Sequence, residues 1–277
     1  GVGAAVAGEA NMGVVVIPRL VATDLDGTIV RSDGSISDRT RETLARVEQA
    51  GAVLVLVTGR PPRWMPPVVE ALGHRGLAIC ANGAVVYDLH TGTVVRHSPM
   101  SAEDAADVIE ALRRDVPGIS FAVERHDTGF AHESSYVPRW DSSDPKSVAP
   151  VEELVAEGIV KLLARHDGMC ADELLAVAHT SVAGRGTLTH SSSDGLLEIS
   201  AVGVSKATGL AELAAEHGVT AADVVAFGDM PNDLPMLAWA GRGLAVANAH
   251  PEVLAAADEV IGSNDDDGVA EYLSRWF

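Results

Sequence analysis

Leu20-Val-Ala-Thr-Asp24-Leu-Asp26-Gly27-Thr28 is an apolar run that ends in two carboxylates separated by a single residue and followed by a glycine. In an extended strand, side chains repeat every second residue. That period places Asp24 and Asp26 on the same side, at the carboxyl end of the strand. In an open α/β sheet this is the end where ligands bind. Two acids held so close can share one hard cation, or divide into a nucleophile and a proton carrier.

The residues that follow set the rhythm of the fold. A helix is expected over residues 38–50, with Ser37 as its N-cap and Gly51 as its stop. Residues 52–57 form a continuous β-rich run of the kind buried in a parallel sheet. That run ends in Thr58-Gly59-Arg60, and Pro61-Pro62 suits a helix start. A helix at 65–72 and a strand at 77–80 complete the alternation. Strand and helix in turn predict an α/β fold with a doubly wound, mostly parallel sheet.

The rhythm changes after Asn82-Gly83. Hairpin strands are expected at 84–88 and 93–97, and an amphipathic helix capped by Ser101 at 101–114. A strand at 119–124, a long polar loop at 125–150 and helices at 151–157 and 172–178 follow, with strands at 159–164, 187–191 and 196–200. Residues 86–197 thus read as an α+β module inserted into the α/β core, which takes residues 14–85 and 198–277. The α/β rhythm resumes at Ser205, with a helix at 206–217 and a buried strand at 224–228 that ends at Asp229. Residues 1–13 are rich in Ala and Gly and read as a flexible N-terminal extension rather than a signal peptide.

The 277-residue chain is 47% hydrophobic and 21% charged, as expected of a globular protein. Its net charge of −19 argues against nucleic acid or an anionic membrane as a partner. Aromatic residues, at 4%, leave few platforms for stacking bases. No apolar run approaches the length of a membrane span. Cys80 and Cys170 form no C-x-x-C pair and read as free thiols, and the ten histidines show no metal-ligand spacing. These features describe a cytoplasmic protein, a monomer or small homo-oligomer. To bind an anionic substrate it needs a metal ion or cationic side chains within an acidic surround.

Four elements carry the chemistry. They are Asp24-x-Asp26-Gly27-Thr28, Thr58-Gly59-Arg60, Lys206, and Gly228-Asp229-Met-Pro-Asn232-Asp233. Three of them end apolar strands, and a parallel sheet brings such ends to one edge. In this order they resemble the haloacid dehalogenase (HAD) superfamily. Gly203-Val-Ser-Lys206, the run from Gly228 to Leu237, Ala247-Asn-Ala249 and Asp267-Gly-Val269 look like its Cof-type branch of capped phosphatases. The insert lies at that branch's cap position.

The resemblance implies a Mg²⁺-dependent phosphomonoester hydrolase acting on small phosphorylated metabolites, sugar phosphates foremost, through an aspartyl-phosphate. It implies Asp24 as the nucleophile and Asp26 as the group that protonates the leaving alkoxide and then takes a proton from water. Asp24, Asp229 and the backbone carbonyl of Asp26 would hold Mg²⁺, with Asp233 and Asn232 supporting that shell. Lys206 would neutralise a phosphoryl oxygen, and Thr58 and Gly59 would bond the phosphate. Arg60 would touch the substrate or only the surface. Asn82 sits at the hinge, where relatives touch substrate.

In the cap, Arg125, His132, Arg139, Lys161 and Arg165 are candidates for an anionic or sugar-like group, and each also reads as an ordinary surface residue. Two other functions share the motifs: a sugar phosphomutase, and a non-catalytic metabolite-binding protein. The second would be expected to have lost an acid or the lysine, and Asp24, Asp26, Lys206, Asp229 and Asp233 are all present.

Overall fold

A computed structural model describes residues 16–126, 129–139, 147–192 and 194–277. The extension expected at 1–13 and part of the loop expected at 125–150 lie outside the described residues. In chain order the core begins with β1 (Leu20–Thr23), α1 (Asp38–Gln49), β2 (Val53–Val57), α2 (Pro66–Leu72), β3 (Leu77–Cys80), β4 (Val85–Asp88) and β5 (Thr93–His97). Ser37 caps α1 by accepting from the Thr40 N–H. The second unit holds α3 (Ala102–Asp115), β6 (Ser120–Glu124), β7 (Phe130–His132), β8 (Ser147–Val148), α4 (Val151–Ala156), β9 (Lys161–Arg165), α5 (Ala171–Val182), β10 (Thr187–Thr189) and β11 (Leu196–Ser200). The chain then returns to the core with α6 (Lys206–Glu216), β12 (Val224–Gly228), α7 (Leu234–Trp239), β13 (Arg242–Val246), α8 (Pro251–Ala256), β14 (Glu259–Ile261) and α9 (Gly268–Leu273).

The core sheet runs β14-β13-β12-β1-β2-β3-β4-β5. β1 is fully buried and pairs in parallel on both sides, Leu20 with Val224 of β12 and with Val53 of β2. Helices α1, α2 and α9 form one group and α6, α7 and α8 another, sandwiching the sheet. Cover on both faces explains why β2 is Val-Leu-Val-Leu-Val rather than alternating.

Two expectations are corrected here. The hairpin at 84–88 and 93–97 does not belong to the insert's sheet. β4 pairs antiparallel with β3, Ile79 opposite Val86, and β5 closes the edge of the core sheet. Val85, Val86 and Tyr87 are buried against that core, which is why the hairpin stays with it. The supposed loop at 125–150 contains β7 and β8, which are too short to show a period. With the hairpin reassigned, we place the inserted unit between about residues 98 and 201, where the chain passes from one sheet to the other.

The insert's sheet has the order β10-β11-β9-β6-β7-β8 and is antiparallel apart from the β7–β8 pair. Alternate residues, Phe121, Val123, Leu162, Ala164, Leu197 and Ile199, form its apolar core with α3, α4 and α5. The intervening positions carry Glu124, Lys161, Arg165 and Glu198, all buried. A face so charged and yet so dry must be covered: the core meets Glu124, Lys161 and Glu198, and Tyr136 and Val137 of the insert itself meet Arg165. Glu124 meets Arg63 (2.8 Å), and Lys161 Nζ donates to the Gly59 carbonyl (2.5 Å).

The return from the insert is seated by two glycines. Gly83 has φ +107°, and a Cβ there would stand 2.1 Å from the Ser205 carbonyl oxygen. Gly209 of α6 packs on it in turn, and a Cβ added at Gly209 would lie 3.2 Å from the Gly83 Cα. The start of α6 is thereby pressed against the β3–β4 connection. No helix among the described residues is long and apolar enough to cross a membrane.

Candidate active site

Asp24 follows β1, Thr58 follows β2, and Asp229 follows β12, so three parallel strands deliver them to one edge. Lys206 is the first residue of α6, whose N-cap Ser205 accepts from the Thr208 N–H. Its Nζ is completely buried and donates to Asp24 Oδ1 (2.9 Å) and Asp233 Oδ1 (2.6 Å). Asp233 Oδ2 accepts from the backbone N–H groups of Asp229 (2.9 Å) and Met230 (3.1 Å). Both oxygens of Asp233 are therefore engaged. The Thr28 hydroxyl lies between the other two acids, 3.4 Å from Asp24 Oδ2 and 3.2 Å from Asp229 Oδ1.

Oxygens of Asp24, Asp229 and Asp233 all lie within 4.8 Å of one another. One ammonium cannot balance three carboxylates. Burial, and then the charge of Asp233, raises the Asp24 carboxyl above its ordinary range against the pull of Lys206. Burial raises Asp229 too, reinforced by the charges of Asp24 and Asp233. Lys206 is held above the ordinary lysine range by both aspartates despite its burial. The unmet negative charge sits on Asp24 and Asp229, which still have oxygen lone pairs to offer. An all-oxygen set with surplus negative charge fits a hard divalent cation such as Mg²⁺.

Gly27 makes this approach possible. Its φ is +75°, and a Cβ there would lie 2.1 Å from Asp229 Oδ2.

Asp26 stands apart from this cluster. β1 ends at Thr23, so the two-residue period does not extend to Asp26 and does not set its direction. Its side chain is 58% exposed and pairs with Arg60. Thr58 is buried, and its Oγ1 accepts the Arg60 N–H (3.0 Å).

A second group of polar side chains adjoins Gly59. Asn82 has φ 56° and ψ 35°, the left-handed region that asparagine tolerates. Its Nδ2 donates to Glu198 Oε1 (3.2 Å), and its Oδ1 accepts from Asn232 Nδ2 (3.0 Å). Glu198 also accepts from Lys161 Nζ (2.7 Å). Burial acts to raise the Glu198 carboxyl, but Lys161, the Ser191 hydroxyl and the more distant Lys206 hold it below the ordinary glutamate range.

A family model described as haloacid dehalogenase-like hydrolase matches residues 21–273. This chain belongs to that family. It is an enzyme, a hydrolase of the phosphatase type found among its HAD relatives. It is 32% identical over 269 residues to the pyridoxal phosphate phosphatase YbhA of Escherichia coli, covering 92% of this chain and 97% of the relative. It is 28% identical over 258 residues to the 5-amino-6-(5-phospho-D-ribitylamino)uracil phosphatase YcsE of Bacillus subtilis, with 93% and 95% covered. A haloacid dehalogenase-like hydrolase from B. subtilis superimposes with a TM-score of 0.79 at 25% identity, covering 94% of this chain and all of the other.

Of the residues singled out in the sequence, this HAD hydrolase gathers Asp24, Lys206, Asp229 and Asp233 into one cluster, with Thr58, Gly59, Asn82 and Asn232 alongside. Arg60 pairs with Asp26. Among the cap candidates, Lys161 reaches the core. The others bond within the insert: Arg125 to the Leu154 carbonyl and Glu157, His132 to the Glu133 carbonyl, Arg139 to Asp167, and Arg165 to the Val137 carbonyl.

Sequence reasoning missed Glu198. Its signal was a lone charge between Leu197 and Ile199 in an apolar strand. It also missed a clasp between the two units. Asp172 of α5 contacts His190 Nε2 (2.7 Å) and, across the interface, His250 Nε2 (3.3 Å). His250 Nδ1 accepts the Glu252 N–H, so its Nε2 carries the proton given to Asp172. The His250 backbone N–H bonds the Asp229 carbonyl (2.7 Å), which ties the clasp to the edge that carries the acidic cluster.

Proposed function

We propose that the chain is a Mg²⁺-dependent phosphomonoester hydrolase that acts on small phosphorylated metabolites, with sugar phosphates as the leading class, through an aspartyl-phosphate on Asp24. The observation that carries this reading is the buried Lys206 between Asp24 and Asp233, with Asp229 beside them. Mg²⁺, held by the carboxylates of Asp24 and Asp229 and the backbone carbonyl of Asp26, would neutralise charge on the phosphoryl group.

Asp24 is the nucleophile. One of its oxygens bonds to phosphorus as the bond from phosphorus to the leaving oxygen breaks. Lys206 keeps Asp24 ionised and oriented and offers charge to the phosphoryl oxygens. The Thr58 hydroxyl and the Gly59 N–H lie at the same edge and suit the remaining oxygens. Asp26 gives its proton to the leaving alkoxide. It then takes one from the water that attacks phosphorus and releases Asp24. In this structure its carboxylate is paired with Arg60 outside the Asp24–Asp229 cluster, so it carries a proton only after leaving that pair.

The named relatives act on a pyridoxal phosphate and on a phosphorylated ribityl compound, which supports small phosphorylated metabolites as substrates here. The test is phosphate release from a panel of sugar, nucleotide and cofactor phosphates, with Mg²⁺ and with EDTA, for the wild type and Asp24→Asn. Release that requires both Mg²⁺ and Asp24 supports the reading. Release that survives Asp24→Asn rules out the covalent step, and isomerised sugar phosphate in place of free phosphate identifies a mutase.

A further inference from the structure

The histidines show no metal-ligand spacing in the sequence, yet the fold gathers two of them on one carboxylate away from the acidic cluster. Asp172 and His190 come from the insert and His250 from the core. One ligand atom of each lies within 4.8 Å of the other two. The Nε2 atoms of His190 and His250 stand 2.7 Å and 3.3 Å from the two oxygens of Asp172. The ring planes are 72° apart and their centroids 5.9 Å, so two imidazole edges meet at one acid. Zn²⁺ takes imidazole nitrogen and carboxylate oxygen at about 2.0–2.2 Å in a tetrahedron, which sets such ligands about 3.3–3.5 Å from one another. The two Asp172 contacts open to that spacing with a shift of less than about 1 Å. The Asp172 side chain is 55% exposed and free to make it.

The ring protons can make way for a cation. His190 is buried, and its Nδ1 has no hydrogen-bond partner among the described residues. Asp172 alone therefore holds the proton on His190 Nε2, and moving it to Nδ1 breaks no other bond. His250 Nδ1 accepts the Glu252 N–H at 3.2 Å in an exposed position, where water can replace it as acceptor. Each neutral imidazole then keeps one proton and offers the lone pair of Nε2. A cavity of about 250 Å³ between insert and core borders the cluster. Its wall includes Thr189 beside His190, Glu252 two residues after His250, and Leu175 one turn along α5 from Asp172. It gives access to the water that a site with three protein ligands takes as its fourth.

We infer that Asp172, His190 and His250 form a metal site for Zn²⁺, separate from the acidic cluster, and that an ion bound there pins the insert to the core and slows turnover. Two nitrogens and one oxygen favour Zn²⁺, whereas Mg²⁺ prefers oxygen throughout. The two sites thus sort their ions by donor type. Coordination joins α5 and the residue after β10 to the start of α8, where the clasp otherwise has only hydrogen bonds. The effect on turnover rests on the phosphatase reading, in which substrate enters and product leaves between the two units. The binding of Zn²⁺ does not rest on it.

The test titrates Zn²⁺ by calorimetry into the full chain in excess Mg²⁺, for the wild type, Asp172→Asn, His250→Ser and Asp229→Asn. Serine keeps an N-cap for α8 and lacks the ring nitrogen. Asp172→Asn and His250→Ser should each weaken Zn²⁺ binding at least about tenfold, and Asp229→Asn should retain it. Asp172→Asn changes an exposed side chain and carries the test if His250→Ser fails to fold. In the wild type, Zn²⁺ should slow hydrogen exchange in α5 and β10 and lower the rate of phosphate release. In the two clasp variants both effects should be lost. Zn²⁺ binding that survives in folded clasp variants and is lost in Asp229→Asn places the ion in the acidic cluster and overturns the inference. So does a wild type that binds no Zn²⁺ in Mg²⁺ buffer. Exchange unchanged by bound Zn²⁺ overturns the pinning, and slowed exchange with an unchanged rate overturns the effect on turnover. Zn²⁺ that binds and slows exchange in a protein releasing phosphate from no compound leaves the metal site standing and overturns the phosphatase reading.

Discussion

Arg60 holds the Asp26 carboxylate with two hydrogen bonds, Nε to Oδ2 at 2.7 Å and Nη2 to Oδ1 at 2.5 Å. Two residues earlier, Asp24 is buried and bound to an ammonium. The two acids of the motif thus live in opposite surroundings, one buried beside an ammonium, the other largely exposed and paired with an arginine. A nucleophile gains from the first and a proton carrier from the exposure of the second. Asp26→Asn should lower kcat by about 10²–10⁴-fold. The side chain is largely exposed, so the melting temperature should stay within about 2 °C of wild type. Steady-state kinetics and a thermal melt on the same sample check both halves.

Lys206→Met should be costly to the fold as well as to turnover. It leaves Asp24 and Asp233 buried without their cation, and breaking such a pair costs about 3–5 kcal/mol. Chemical denaturation at pH 7 should show that loss. At pH 5 the loss should shrink, because the stranded carboxyls can take up protons. A loss that is the same at both pH values would locate the instability elsewhere.

The metal-free protein should lose stability as pH rises across the neutral range. Burial raises the Asp24 and Asp229 carboxyls above their unfolded value of 3.8. Over that window the native state binds more protons than the unfolded chain, and stability falls with increasing pH. Acids with lowered values, such as Asp115 at about 2, are ionised in both states by pH 5 and add no slope above it. In EDTA, melting between pH 5 and 8 should show the decline, and Asp229→Asn should flatten it. Mg²⁺ competes with those protons, so its stabilising effect should grow with pH.

The two cysteines should behave oppositely. Cys80 is fully buried at the end of β3, and burial pushes its thiol up to about 12. Cys170 is exposed. A thiol reagent at pH 8 should modify one cysteine of the two in the native protein and both in denaturant.

Asp172→Ala should loosen the insert without touching the acidic cluster. It removes the acceptor shared by His190 and His250. Hydrogen exchange should accelerate in α5 and β10. Unchanged exchange there would mean the two units are held together by other contacts.

The core was legible because its signals are local and strong. A strand covered on both faces must be apolar throughout, so 52–57 and 224–228 announced themselves, and each ended in a residue of the site. The edge hairpin was legible but its sheet was not, since residues 85–97 look the same whichever sheet they join. Pairing partners are set by packing distant in sequence. Asp26 defeated the period because one residue decides where a strand stops. Glu198 and the Asp172 clasp depend on contacts across the interface between the two units, such as Asn82 with Glu198. The lone charge at 198 marks the position, but the partners Asn82 and Lys161 of Glu198, and His250 of Asp172, lie far off in the sequence.

Gly83 against Ser205 has a consequence for how such a molecule changes over generations. The inserted unit hands the chain back through residues 201–204, and the next residue is clamped to the core by a contact that admits no side chain. Lys206 therefore takes its position from the core, and the insert can tilt, lengthen or be rewritten without retuning the charge beside Asp24. The reactive chemistry is inherited as a fixed part, and the choice of what it is applied to is left as an independent, replaceable one.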